Sequence, residues 1–195
     1  MSNSIKDISS STSITPPIAV ELDTQTWNNH LDNTESWFDN VLMNQIEFRK
    51  FTEDTLKKIN EIHLKIYLKE ILESAKDHEK KIERLYHAIG RDPSSSKTRN
   101  IGGTLMSKGQ QLIADIEGTA GGATGGWQDL NQLLLLNVKS MSSFAVVEQL
   151  GLALGISEIS DISFLIVNEK SKHHLLLQEM VLEMSTASIL YKMHL

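Results

Sequence analysis

Three residues with metal-ligating side chains, His78, Glu169 and His173, lie near the middle of long apolar segments. Glu169 and His173 are four residues apart, so on a helix both side chains project from one face and can reach one ion. Two imidazoles and one carboxylate form a donor set that suits Zn²⁺, Fe²⁺ or Mn²⁺. Gln45 and Glu47, from another segment, are candidates to complete the ligand set. The sequence therefore predicts a metal site of His78, Glu169, His173 and Glu47 if these segments pack side by side.

A metal-free interpretation accounts for the same three residues. A single histidine on an apolar face is usually a core residue bonded to one neighbour, and the three side chains could form a buried polar network. Both interpretations stay open on the sequence alone. No catalytic residues and no organic cofactor are predicted, because no His–Asp pair is placed to activate the serines at positions 140, 142 and 143.

His78 belongs to the clearest helical segment of the chain. Between Leu64 and Ile89 the apolar residues recur at alternating steps of four and three, with charged residues between them. This pattern predicts an amphipathic helix over about residues 61–89 that ends at Gly90. A preceding helix is predicted from about Asp32, where a capping box fits, to about residue 60. Its predicted inner face consists of Trp37, Val41, Phe48, Phe51, Thr55 and Ile59.

Two further long helices are predicted near the end of the chain. The first covers residues 127–154, ends at Gly155, and has Leu134, Val138, Met141, Ala145 and Leu152 in register. The second covers about residues 159–184, with Ile162, Ile166, Glu169, His173, Leu176 and Met180 in register. Between the second and third long helices lie a short amphipathic helix, residues 105–116, and a glycine-rich linker, residues 118–126.

Four long helices with one long crossover predict an all-α fold with the ferritin-like four-helix topology and a short fifth helix in the crossover. The predicted organisation is a flexible N-terminal arm over residues 1–31, a bundle over residues 32–185 and a C-terminal tail over residues 186–195. The polar N-terminus has no secretory signal pattern and no apolar run is long enough to cross a bilayer, which predicts a cytoplasmic protein that does not enter membranes. A formal charge of −6 argues against nucleic-acid binding, and the absence of cysteine excludes thiolate ligands.

Several motifs resemble one known family in their order and spacing. They are the runs His78–Leu85, Leu105–Asp115, Glu148–Gly155 and Asn168–Lys170. Together they are similar to the bacterial stress-induced branch, of unknown function, of the ferritin-like superfamily, over about residues 35–185. The resemblance implies a dinuclear metal site built from Glu and His on facing helices. This chain departs from that pattern, because the positions expected to hold a histidine and two carboxylates fall on Ser74, Asn137 and Ser140.

Two functions follow as hypotheses. The first is a stress-associated, ferritin-like protein with a reduced or degenerate core site that binds iron, manganese or zinc. The second is a non-enzymatic helical scaffold or interaction protein that has lost the metal. The sequence does not decide whether the chain is an enzyme. A homodimer is expected, with Trp37, Phe38 or Phe51 as candidates for apolar contact between copies.

Overall fold

The computed structural model describes residues 22–93 and 126–191, which form four long helices. They are α1 (Thr24–Lys58), α2 (Ile62–Ala88), α3 (Gly126–Leu154) and α4 (Ser157–Leu190). The predicted all-α class is confirmed, since these two ranges contain no strand. The predicted fifth helix, the linker before α3 and most of the predicted N-terminal arm lie outside the described residues. No helix within those ranges has the length and apolar character needed to span a bilayer.

Each helix runs antiparallel to the two helices beside it. The order around the bundle is α1, α2, α4, α3, so that α2 and α3 occupy opposite corners. Contacts between neighbouring helices join early residues of one to late residues of the other: Asp39–Tyr86, Arg49–Glu79, Trp37–Ser143, Lys58–Asp129, His63–Glu183 and Arg84–Glu158. Because α2 and α3 are both antiparallel to α1, they point in the same direction.

Two glycines end helices where the sequence predicts it. Gly90 and Gly155 both have φ of 69°, a left-handed conformation that favours glycine because it has no Cβ. After α2 the amide of Gly90 donates to the carbonyl of His87 at 2.9 Å, and the amide of Arg91 donates to the carbonyl of Tyr86 at 2.9 Å. These bonds satisfy carbonyl groups that the helix end would otherwise leave free.

Helix α1 begins at Thr24 rather than near Asp32, and α4 continues to Leu190 rather than ending near residue 184. Asp23 is the residue that caps α1, because its side chain accepts a hydrogen bond from the amide of Thr26 at 2.9 Å. Asp32 lies inside the helix and forms an ion pair with Arg91 instead. Residues 24–33 form nearly three helical turns and are mostly exposed to solvent, so they can be helical with little apolar character.

The predicted inner face of α3 is wrong. The structure half-buries or exposes the predicted residues and buries Leu130, Leu133, Leu136, Asn137, Ser140, Ser143, Phe144, Val147 and Gly151. Several of these core positions carry polar or small side chains. The spacing of apolar residues therefore predicts the neighbouring face of α3 as the buried one. On α1, Phe38 and Thr52 are fully buried, whereas Trp37 and Phe51 lie at the edge of the core. Trp37 donates to the carbonyl of Ser143 at 3.2 Å, which joins α1 to α3. Phe38, one of the three residues expected to contact a second copy, is fully buried and cannot do so.

The core consists of two apolar clusters, one toward each end of the bundle. The first includes Phe48, Leu68, Leu133 and Met180, and the second includes Phe38, Leu85, Phe144 and Ile162. A layer of buried polar side chains lies between them, at the middle of all four helices. We call it the polar layer; it consists of Gln45, His78, Asn137, Ser140, Lys170 and His173.

Replacing Gly151 by alanine is expected to destabilise the protein by about 1–3 kcal/mol, since an added methyl must displace backbone. A Cβ at Gly151 would lie 2.6 Å from the backbone nitrogen of Ser160, so α3 and α4 approach each other closely here. Urea unfolding followed by circular dichroism measures the change. Gln149→Ala, at an exposed position of the same helix, is the control and should change the unfolding free energy by less than about 0.5 kcal/mol. Equal midpoints for the two variants would contradict this close approach.

Candidate functional site

The structure brings together His78 of α2 and Glu169 of α4. His78 is fully buried, and its Nε2 lies 3.0 Å from Oε2 of Glu169. The hydroxyl of Ser74 donates to the other carboxylate oxygen at 2.6 Å. Because a carboxylate only accepts, neutral His78 must carry its proton on Nε2. Its Nδ1 is buried and has no hydrogen-bond partner among the described residues.

His173 lies one helical turn after Glu169 and is only 4% exposed. Its Nδ1 is also buried without a hydrogen-bond partner in the described part of the chain. The two imidazoles and the carboxylate therefore occupy the same region, between α2 and α4. An open cleft of about 720 Å³ on the outside of these two helices reaches Glu169 and His173 but not His78.

Glu47 does not join this cluster. Its side chain lies on the side of the bundle formed by α1 and α3, where it accepts from the ammonium of Lys139 at 2.8 Å. Gln45, the other candidate from α1, is fully buried but already bonded at both ends of its amide. Its nitrogen donates to the carbonyl of Ala75 at 2.9 Å and its oxygen accepts from Ser140 at 2.8 Å. Neither residue is placed to complete a ligand set around Glu169.

Lys170 is the core residue that the sequence analysis missed. Its side chain is fully buried, and its Nζ has no hydrogen-bond partner among the described residues. The nitrogen lies 4.2 Å from the ring centroid of Phe48 and 5.9 Å from that of Phe144, so cation–π attraction is the visible compensation for burying the ammonium. A signal was present, because Ile166, Lys170, His173 and Leu177 follow one helical face at steps of four, three and four.

The two positions at which the family resemblance implies carboxylates do face the core. Asn137 and Ser140 are both fully buried in α3. The amide nitrogen of Asn137 donates to the backbone carbonyl of Lys170 at 3.0 Å, which ties α3 to α4. Neither residue supplies an anionic ligand, and the carboxylate that contacts the polar layer is that of Glu169 on α4.

Burial sets the protonation states of this cluster. It lowers the pKa of His78 to about 4, helped by the nearby charge of Lys170 and opposed by Glu169. It also lowers the pKa of His173 to about 4 and that of Lys170 to about 7. Burial raises the pKa of Glu169, but hydrogen bonds from Ser74 and His78 outweigh it and bring the value to about 2. At neutral pH the cluster therefore holds two neutral imidazoles beside a carboxylate.

The described residues do not fit a dinuclear metal centre. Such a centre in a four-helix bundle draws a carboxylate from every helix, with histidines from two of them. Within residues 22–93 and 126–191, no group of three or more His, Asp or Glu side chains is arranged to hold a metal ion. Lys170 adds a basic group in the region where a metal would need anionic ligands.

A scan against protein-family models, a search of curated proteins and a search of solved structures each found no match to this chain. Its function must therefore be inferred from the chemistry and geometry of its own side chains.

Proposed function

We propose that this chain is a ferritin-like bundle that holds a lysine at its centre instead of a metal, and acts as a non-enzymatic scaffold for a protein partner. The complete burial of Lys170 carries this proposal. The antiparallel packing of neighbouring helices, with α2 and α3 parallel on opposite corners, supports the ferritin-like assignment, because that topology needs one long crossover. The association with stress rests on the sequence resemblance.

Electrostatics favours the metal-free state. Lys170 is close enough to His78 and His173 for its charge to lower the pKa of both. A monovalent and a divalent cation about 6 Å apart repel each other by roughly 5 kcal/mol at an effective dielectric constant of ~20. The pKa of Lys170 is about 7, so about half of the chains carry this charge at neutral pH. In those chains a divalent ion would have to overcome the repulsion or displace the proton from Lys170. Glu169 carries one negative charge, which does not balance the charges of a divalent ion and protonated Lys170 together.

The second candidate function is binding of a single iron, manganese or zinc ion by Glu169 and His173. His78, the third candidate ligand, would have to rearrange first, because its Nε2 is bonded to Glu169 at 3.0 Å. The specific observation in its favour is the Nδ1 of His173, which is buried without a hydrogen-bond partner among the described residues. His173 lines the same cleft as Glu169. The open cleft gives an ion access to these two residues. Both imidazoles are neutral at pH 7, which is the state that ligates metals.

Elemental analysis separates the two functions. After dialysis against Fe²⁺, Mn²⁺ or Zn²⁺ and desalting, we expect the purified chain to retain far less than one ion per molecule. We also expect a chelator to leave its melting temperature unchanged. A metal bound to the folded state would stabilise the protein, and removing that metal would lower the melting temperature. The matched variant is Glu169→Ala with His173→Ala. Retention of about one ion per wild-type chain, lost in this variant, would establish the metal site and contradict the scaffold.

A further inference from the structure

Helix α4 presents an uncharged face to solvent along most of its length. The residues of this face are Phe164, Asn168, Ser171, Leu175, Gln178, Leu182 and Ile189, which we call the α4 stripe. All seven are exposed, and the four large apolar side chains are 41–62% exposed. Apolar side chains at this exposure, aligned over about 38 Å of helix, are unusual on a protein surface without a partner.

The spacing of the stripe is that of a helix made to pack against another helix. Asn168, Leu175, Leu182 and Ile189 repeat every seven residues, and Phe164, Ser171 and Gln178 repeat every seven residues between them. These correspond to the a and d positions of a heptad, the seam of a two-stranded coiled coil. Asn168 occupies an a position, and its amide nitrogen donates to the backbone carbonyl of Phe164 at 3.1 Å.

The charges beside the stripe indicate which helix would cover it. Lys172 and Glu179 flank the same edge, both are exposed, and neither has an ion-pair partner among the described residues. They lie equally far, about 5 Å along the helix, from the point between Leu175 and Leu176. A two-fold axis at that point would place Lys172 of one copy opposite Glu179 of the other, twice over.

We propose that the α4 stripe is the interface of a homodimer in which the α4 helices of two copies pack antiparallel. The opposite edge of the stripe carries Val167 and His174 but no permanently charged side chain, so a parallel pair would leave Lys172 and Glu179 without partners. Isologous two-fold contacts are also the commonest way for soluble chains to associate. The open cleft that reaches Glu169 and His173 is also lined by Asn168, Lys172, Leu175 and Glu179, so this interface would cover it. The test of the interface measures mass in solution and does not depend on whether metal binds.

The first experiment measures mass in solution by analytical ultracentrifugation of the full chain. We expect the wild-type protein at twice its 21.9 kDa chain mass, and Leu175→Glu with Leu182→Glu at the monomer mass with unchanged helical circular dichroism. The control variant is Ile66→Glu with Leu152→Glu, which alters two equally exposed apolar residues on α2 and α3 and should remain dimeric. A monomeric wild-type protein would overturn the proposal. The α4 stripe would then be free, or it would be covered by another part of the chain or by a different protein. A dimer that survives in the stripe variant would also overturn the proposal.

Charge exchange tests the antiparallel arrangement. Lys172→Glu and Glu179→Lys should each raise the dimer dissociation constant about five-fold or more, since like charges would face each other across the interface. The double variant Lys172→Glu, Glu179→Lys should return to within about two-fold of the wild-type constant, because both pairs are restored in reverse. Additive weakening in the double variant would rule out the proposed pairing.

Discussion

Lowering the pH from 6.5 to 4 is expected to cost the folded state on the order of 3 kcal/mol for each of His78 and His173. Both imidazoles have a folded-state pKa of about 4, below the ordinary value of 6.5, chiefly because they are buried. Between these values the unfolded chain binds more protons than the folded chain. Stability is therefore fully present above pH 6.5 and declines as the pH falls toward 4. The combined loss for the two histidines is similar in size to the whole unfolding free energy of many domains.

The carboxylate of Glu169 extends this acid sensitivity. Its pKa is lowered to about 2, so its contribution is present above the ordinary value of 4.5 and is lost as the pH falls toward 2. Glu169 is partly exposed, and solvent screening makes its share smaller than that of either histidine.

Urea unfolding at pH 7.5, 6.5, 5.5 and 4.5 tests the histidine prediction. The double variant His78→Leu, His173→Leu should lose much less stability over this range than the wild-type chain. His63→Leu is the matched control, because His63 is exposed and ion-paired with Glu183 on the surface. An equally steep loss in the double variant would mean that other groups cause the acid sensitivity. Repeating the series with a chelator distinguishes ligated from unligated imidazoles, since only a metal-bound form responds to it.

Replacing Lys170 by methionine is expected to raise the free energy of unfolding at pH 7 by about 1–4 kcal/mol. Methionine fills a similar volume and removes an amine that is buried with no hydrogen bond. The substitution also removes the attraction between the ammonium and the ring of Phe48, which contributes about 2 kcal/mol or less. Desolvation is the larger effect, since the pKa of Lys170 falls from 10.5 to about 7.

The pH dependence gives the Lys170 prediction a second readout. Between pH 7 and about 10 the unfolded chain binds more protons at this residue than the folded chain, so wild-type stability should rise with pH. The methionine variant should lack that rise. Lys80→Met, which alters an exposed lysine on α2, should keep it. A destabilised methionine variant with a wild-type pH profile would show that Lys170 has a stabilising partner in the folded protein.

Much of the helical framework could be predicted because it depends on local signals. Gly90 and Gly155 end helices through their own backbone freedom, and the apolar steps of α2 predict its buried face directly. The face of α4 was harder to place. The apolar spacing selects Glu169 and Leu176, but the structure fully buries the adjoining Lys170 and Leu177. A shift of one residue turns a side chain by about 100° around the helix axis. The spacing of Ile166, Lys170 and Leu177 does indicate one face, but a lysine at such a position argues against burial of that face.

The proximity of His78 to the α4 candidates could be predicted because both lie near the middle of antiparallel helices. The position of the Glu47 side chain could not be predicted. It is two residues from Gln45, which faces the core, but two residues on a helix correspond to about 200° of rotation. Glu47 therefore lies on the α3 side and binds Lys139. Ion pairs between different helices depend on how the helices pack, and the spacing of residues within one helix does not predict them.

The direction of the helices has a consequence for anything attached to this protein. Helices α1 and α4 run in the same direction, so the residue that opens α1 and the residue that closes α4 lie at opposite ends of the bundle. At 1.5 Å per residue, the 35 residues of α1 separate these ends by roughly 50 Å. Partners or labels joined to the two ends would be held apart by a rod of fixed length. Energy transfer between two such fluorescent labels would then report whether the rod stays intact.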